Sequence, residues 1–154
     1  MTSQTLSNPA LDRKAWLAVL ARSSWLQLAA HKPAPEILIN LERVRPPEIG
    51  MVMLRGRVGG TGNPFNLGEA TVVRSAVRLG NGPLGVSYAL GRDKRHSELA
   101  AIFDALLQDP LHFTSLMHDL IKPLAQAQAQ ASAAIQNKMA SSKVEFFTFV
   151  RGEA

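Results

Sequence analysis

The segment with the most chemical potential is Arg55-Gly-Arg-Val-Gly-Gly-Thr-Gly62. Consecutive glycines free backbone N–H groups to close around an anion. Arg55 and Arg57, at alternate positions of a strand, place two guanidinium groups on one face beside Gly59, Gly60 and Gly62. This is not a P-loop, because no Gly-Lys-Ser/Thr follows, and Asn63-Pro64-Phe65-Asn66 opens no helix of the kind a dinucleotide fingerprint needs. Three readings stay open: a flexible strand-to-strand connection, a phosphate cradle, or glycines kept small for close packing against a partner. Gly91-Arg92-Asp93-Lys94-Arg95 is a second basic stretch. Asp93 can cap a helix there, but cations at its start oppose the macrodipole by about 0.3–1 kcal/mol each. A bound phosphate or an acidic partner would relieve that cost; ordinary solvated charge is the plainer reading. Arg74 and Arg78 fall on a neighbouring strand, so Arg55, Arg57, Arg74, Arg78 and Arg92 would form one basic patch if they shared a sheet face. Nucleic-acid binding would require aromatic rings interleaved with such a patch. Tyr88 is the only tyrosine and the phenylalanines cluster elsewhere, so no nucleic-acid partner is expected.

Other chemistries find little support. The chain has no cysteine, which removes disulfides, thiolate–metal sites and cysteine nucleophiles. His31, His96, His112 and His118 lack ligand-like spacing, and His112 and His118, six apart on a helix, face different directions. No metal is expected, and no catalytic residue is assigned.

Two periodicities must position the basic stretches. Asn8-Pro9 with Asp12 reads as a helix start, and Leu17, Leu20, Ala21, Ser24 and Leu28 continue at helical spacing to near Ala30. A shorter helix is expected to carry Ile37, Leu38 and Leu41, until Arg45-Pro46-Pro47 breaks it. The pattern then switches to a period of two. Strands are expected at Met51 to Val58, Glu69 to Leu79 and Leu84 to Leu90, the last two joined by the turn Gly80-Asn81-Gly82-Pro83. Leu84, Val86, Tyr88 and Leu90 share one face of the third strand; Gly85, Ser87 and Ala89 leave the other open to close helix approach. Helical spacing returns at Asp93, with a stripe of Leu99, Ile102, Phe103, Leu106 and Leu107. It restarts at Asp109-Pro110, and Pro123 should kink it. The Gln/Ala run from Gln126 to Ala134 reads as a solvated surface helix. Lys143 to Val150, with Phe146, Phe147 and Phe149, reads as a fourth strand covered on both faces. The fold class is therefore α+β, a small antiparallel sheet of about four strands packed with N-terminal and C-terminal helices.

The 154 residues, 46% hydrophobic and 19% charged, suit one domain, 1–154, that buries a real core. No apolar run is long enough to span a bilayer. Met1 to Asn8 reads as a flexible tail and not as a signal peptide, and the lack of cysteine fits the cytoplasm. A formal net charge of +5 favours an anionic partner. A basic phosphate- or nucleic-acid-binding module acting alone is the alternative function.

Several blocks carry a resemblance. Arg45-Pro-Pro-Glu-Ile-Gly-Met-Val-Met-Leu-Arg-Gly-Arg-Val-Gly-Gly-Thr-Gly-Asn-Pro-Phe-Asn-Leu-Gly-Glu-Ala-Thr-Val-Val-Arg74 resembles the central signature of the PhnG family, a subunit of the bacterial carbon–phosphorus lyase system. Arg13 to Arg22, Tyr88 to Lys94 and Lys143 to Gly152 resemble its opening helix, its next block and its C-terminal block. Val73 and Phe149 stand where Thr and Met are expected. The resemblance implies a non-catalytic or accessory subunit, working with PhnH-, PhnI- and PhnJ-like partners. It implies a complex that forms α-D-ribose 1-methylphosphonate 5-triphosphate from ATP and methylphosphonate, the isolated chain being inactive. ATP would be the substrate of the complex. An iron–sulfur cluster and S-adenosylmethionine would belong to a partner subunit and no cofactor to this chain, in keeping with its lack of cysteine. Arg55, Arg57, Gly59, Gly60, Gly62, Arg74, Arg92, Phe147 and Phe149 are then candidates for a subunit interface or an anion site. Homodimerisation of the isolated chain is a further expectation, through a strand edge that a partner normally covers.

Overall fold

The computed structural model describes the backbone of residues 9–150 and the side chains of residues 13–141. Helix α1 (Pro9–Arg22) buries Trp16 and Leu20. It stops earlier than the spacing predicts, because Ser24 and Gln27 form a reciprocal capping box that starts α2 (Trp25–Ala29). The Ser-x-x-Gln signature is visible in the sequence but was masked by the continuing apolar spacing. A single 3-10 turn, Pro35–Leu38, replaces the expected second helix.

Leu41 belongs to β1 (Leu41–Arg57), ten residues longer at its start than the alternation suggests. Pro46 and Pro47 sit within this strand. They are tolerated because β1 is an edge strand and the register shifts between Arg45↔Ala76 and Glu48↔Arg74, a bulge that absorbs the missing donors. Strand β2 (Pro64–Leu79) and β3 (Leu84–Leu90) complete an antiparallel meander in the order β1-β2-β3.

Helix α3 (Lys94–Leu107) starts where predicted, with Asp93 Oδ1 accepting from the backbone N–H groups of Arg95 and His96. The sequence marks one apolar stripe, yet every residue from Leu99 to Leu107 is buried. A helix covered all round is a central layer. On one side it meets the small face of β3, where the Gly85 position lies against the Ala101 carbonyl and the Ala105 methyl. The hydroxyl of Ser75 donates to the Ser97 carbonyl at 2.8 Å beneath the same contact. On its other side Phe103 and Leu107 join Trp16, Leu20, Leu28, Leu120 and Ile121 in one core.

Asp109 caps α4 (Pro110–Leu116), whose Phe113 ring packs edge-on to Trp16 at 5.8 Å. The disruption expected at Pro123 takes the form of a π turn, Met117–Ile121, directly before it. A proline cannot donate to the carbonyl four residues back, and a wider turn accommodates that loss without ending the helix.

Helix α5 (Lys122–Val150) then runs on through the segment expected to be a fourth strand, so the sheet has three strands. The β-rich composition of Lys143 to Val150 misleads here. Neither Gly nor Pro interrupts the chain between Leu124 and Val150, and a helix already nucleated by a Gln/Ala run propagates at little cost. Among the described side chains, packing of α5 against the body ends at Gln128, whose amide donates to the Val19 carbonyl at 3.0 Å. From Ala129 to Ser141 every residue is exposed.

Candidate functional site

Strand β3 pairs with β2 only over residues 72–78, and α3 covers that same stretch. Beyond it, β1 and β2 continue as a two-stranded arm through seven cross-strand pairs, from Met51↔Thr71 to Arg57↔Pro64. At about 3.4 Å per residue the arm reaches roughly 20 Å from the body. A 3-10 turn, Val58–Gly60, closes its tip. The Gly-rich run thus forms a hairpin end, and the tip is tied to itself: the N–H groups of Thr61 and Gly62 both donate to the Val58 carbonyl. Gly59 and Gly60 hold φ of 60° and 82°, which other residues adopt only with strain. At Gly62 a Cβ would lie 2.5 Å from the Val58 carbonyl oxygen, so the turn requires glycine there for space.

Arg55 and Arg57 lie on the arm, on the alternation shared with Met51 and Met53. The Arg57 guanidinium reaches only the Gly62 carbonyl, at 3.4 Å. Arg74 points the other way. Its register partner is Glu48, and its guanidinium donates to that carboxylate at 2.7 Å, with Arg45 on the same Glu48 at 3.2 Å. Arg78 pairs with Glu42 on this second face. The arginines therefore divide between two faces, because the strand alternation that unites Arg55 with Arg57 separates them from Arg74 and Arg78. Arg92 is exposed in the turn that precedes α3. The side chains of Phe147 and Phe149 lie outside the described residues.

The sequence reading placed Met51 and Met53 on a strand but missed Phe65 and Leu67, the rest of the arm's apolar part. Met51 is 63% exposed, Met53 50%, Leu67 66% and Phe65 42%. Phe65 and Leu67 fell in a stretch read as a connection. Gly68 and the register shift between Leu54 and Arg55 conceal the alternation that would have placed them on a strand. Phe65 packs over Gly56, where an added Cβ would sit 3.3 Å from the ring.

A second polar constellation lies inside the body. Asp104 is 0% exposed and accepts from Arg13 Nη2 at 2.8 Å, Trp16 Nε1 at 2.8 Å and the Val86 backbone N–H at 2.9 Å. The hydrogen bond to Asp104 raises the Arg13 pKa; partial burial works against that rise and charge attraction to Asp104 adds to it. Arg13 and Gln108 also donate to the Leu84 carbonyl. Every partner is satisfied, and the group ties α1, β3 and α3 together. No cluster of three His, Asp or Glu side chains that could hold a metal ion occurs among the described residues.

Among the described residues the half-apolar arm lies uncovered beside a small α+β body, which defines a protein with an exposed interaction surface. The comparisons with known proteins then give the family. The family model described as "Phosphonate metabolism protein PhnG" matches residues 11–152, and the chain belongs to that family. It is 42% identical over 144 residues to a protein of Rhizobium meliloti (strain 1021) named "Alpha-D-ribose 1-methylphosphonate 5-triphosphate synthase subunit PhnG". The match covers 92% of this chain and 90% of that relative.

Proposed function

We propose that this protein is an accessory, non-catalytic subunit of a carbon–phosphorus lyase core assembly in the cytoplasm. The assembly makes α-D-ribose 1-methylphosphonate 5-triphosphate from ATP and methylphosphonate, and the companion chains are PhnH-, PhnI- and PhnJ-like. The observation that carries this reading is the family match over residues 11–152, joined to a relative named as a synthase subunit. The arm supports it, since exposed apolar side chains on a two-stranded ribbon suit a chain that works in company. Iron–sulfur chemistry is left to a partner, because this chain offers no cysteine thiolate.

The test is absolute mass by size-exclusion chromatography with light scattering, for the protein alone and co-expressed with the companion subunits of its own genome. One high-mass species containing all four chains is expected. Elution of this chain by itself from every mixture would overturn the assignment. ATP turnover or salt-sensitive RNA retention by the isolated chain would then favour a module acting alone.

A further inference from the structure

We infer that the β1–β2 arm seats this subunit in a cleft of another protein chain, a cleft with an apolar floor and acidic walls. The inference rests on the subunit reading and deepens it by naming the docking element and the chemistry of its receptor. Two antiparallel strands alone are marginal in water, and neither β3 nor α3 extends over this ribbon. Met51, Met53, Phe65 and Leu67 nevertheless place large apolar side chains there at 42–66% exposure. Arg55 and Arg57 stand on the Met51 and Met53 alternation, and neither is paired with a carboxylate in the structure. Met51 and Met53 share the face of Arg55 and Arg57, while Phe65, cross-strand from Gly56, falls on the opposite one, so the receptor that fits is a cleft gripping both faces, apolar inside with carboxylates at its rim.

Among the described residues, a second copy of this chain offers no such receptor. Among the described residues most carboxylates are already engaged, by arginines, by a neighbouring histidine or by helix N-termini. Those left over are Glu36, Glu42 and Glu69. Glu42 is cross-strand from Arg78 and Glu69 lies on the arm itself, so they form no acidic cleft. A nucleic acid is a poor fit as well. Two arginines against one glutamate on an otherwise uncharged ribbon give a small charge, and Phe65 is its single ring.

The experiment uses the full chain co-expressed with its companion subunits. One variant carries Arg55→Glu with Arg57→Glu. A second replaces residues 54–68 by Asn-Gly, so that Met53 and Glu69, already cross-strand partners, close a tight hairpin. Neither change touches a fully buried side chain, so both isolated variants should melt with the wild type. The charge reversal should weaken assembly about a hundredfold, and the shortened chain should not assemble. A photo-crosslinking residue in place of Phe65 should label an Asp/Glu-bearing peptide of a companion chain. Assembly of the charge-reversed chain at wild-type strength overturns the inference, as does a Phe65 crosslink to a second copy or to nucleic acid. If the shortened chain fails to fold, the charge reversal decides alone. Failure of the wild type itself to assemble overturns the subunit reading instead, so the two failures are told apart.

Discussion

Asp104→Ala is expected to cost about 3–5 kcal/mol of folding stability, the range for removing one partner of a buried ion pair. For a chain of this length that lowers the melting temperature by about 10 °C. The loss arises from what remains. Trp16 Nε1 and the Val86 N–H lose their acceptor inside the protein, and Arg13 loses its counter-charge. Asp104→Asn keeps the volume and one acceptor oxygen but turns an amide donor toward other donors, so it should recover only part of the stability. Equilibrium urea unfolding of both variants measures this, and a shift under about 1 kcal/mol for the alanine variant would sink the idea. The pH dependence has a definite sign. Because the Arg13 pKa is raised on folding, its stabilisation is fully present below the ordinary arginine value and is lost only as pH rises through the raised folded value. Across the neutral range that guanidinium contributes a constant.

Gly85→Val is expected to give little soluble protein, and Gly85→Ala to lose about 1–3 kcal/mol. The added Cβ would overlap the Ala101 carbonyl and lie 2.7 Å from both the Ala105 methyl and its backbone nitrogen. Backbone atoms of a central helix cannot rotate aside, so α3 must lift from the sheet and open the core around Val77 and Ala101. Gly59→Ala makes the contrast: its φ is positive, but nothing lies within 4 Å of the new methyl. That change strains the arm tip by about 1 kcal/mol and leaves the melting of the body unchanged.

Gly85 is legible in the sequence alone, since Gly85, Ser87 and Ala89 alternate with larger residues and announce a helix at close range. The role of Asp104 is not. Its partners Trp16 and Val86 are 88 and 18 residues away, and an aspartate between apolar positions of a helix reads as its wet face. His96 was hidden likewise, its ring nitrogen meeting the Leu20 carbonyl across 76 residues. Prolines obscured the start of β1 because proline argues against a strand, an argument with no force at an edge. The C-terminal segment failed for a different reason. Aromatic and β-branched composition reports what suits a pleated surface, and α5 carries that segment as helix from a start far upstream. Of the candidate site, the sequence displayed the two arginines and the glycine-rich tip. It concealed the arm's length, which depends on counting residues through a bulge.

One consequence of the strand ends concerns what happens when this protein is made in excess of its companions. An uncovered sheet edge invites other chains to add strands to it, and from there to precipitate. On β3 the Val86 N–H and the Leu84 carbonyl are taken by Asp104, Arg13 and Gln108. On β1 the bulged pair Pro46-Pro47 interrupts the run of donors. Strand addition is thus blocked at Leu84 and Val86 on one margin of the body and interrupted at Pro46-Pro47 on the other, which shortens the stretch along which surplus copies could polymerise through the sheet.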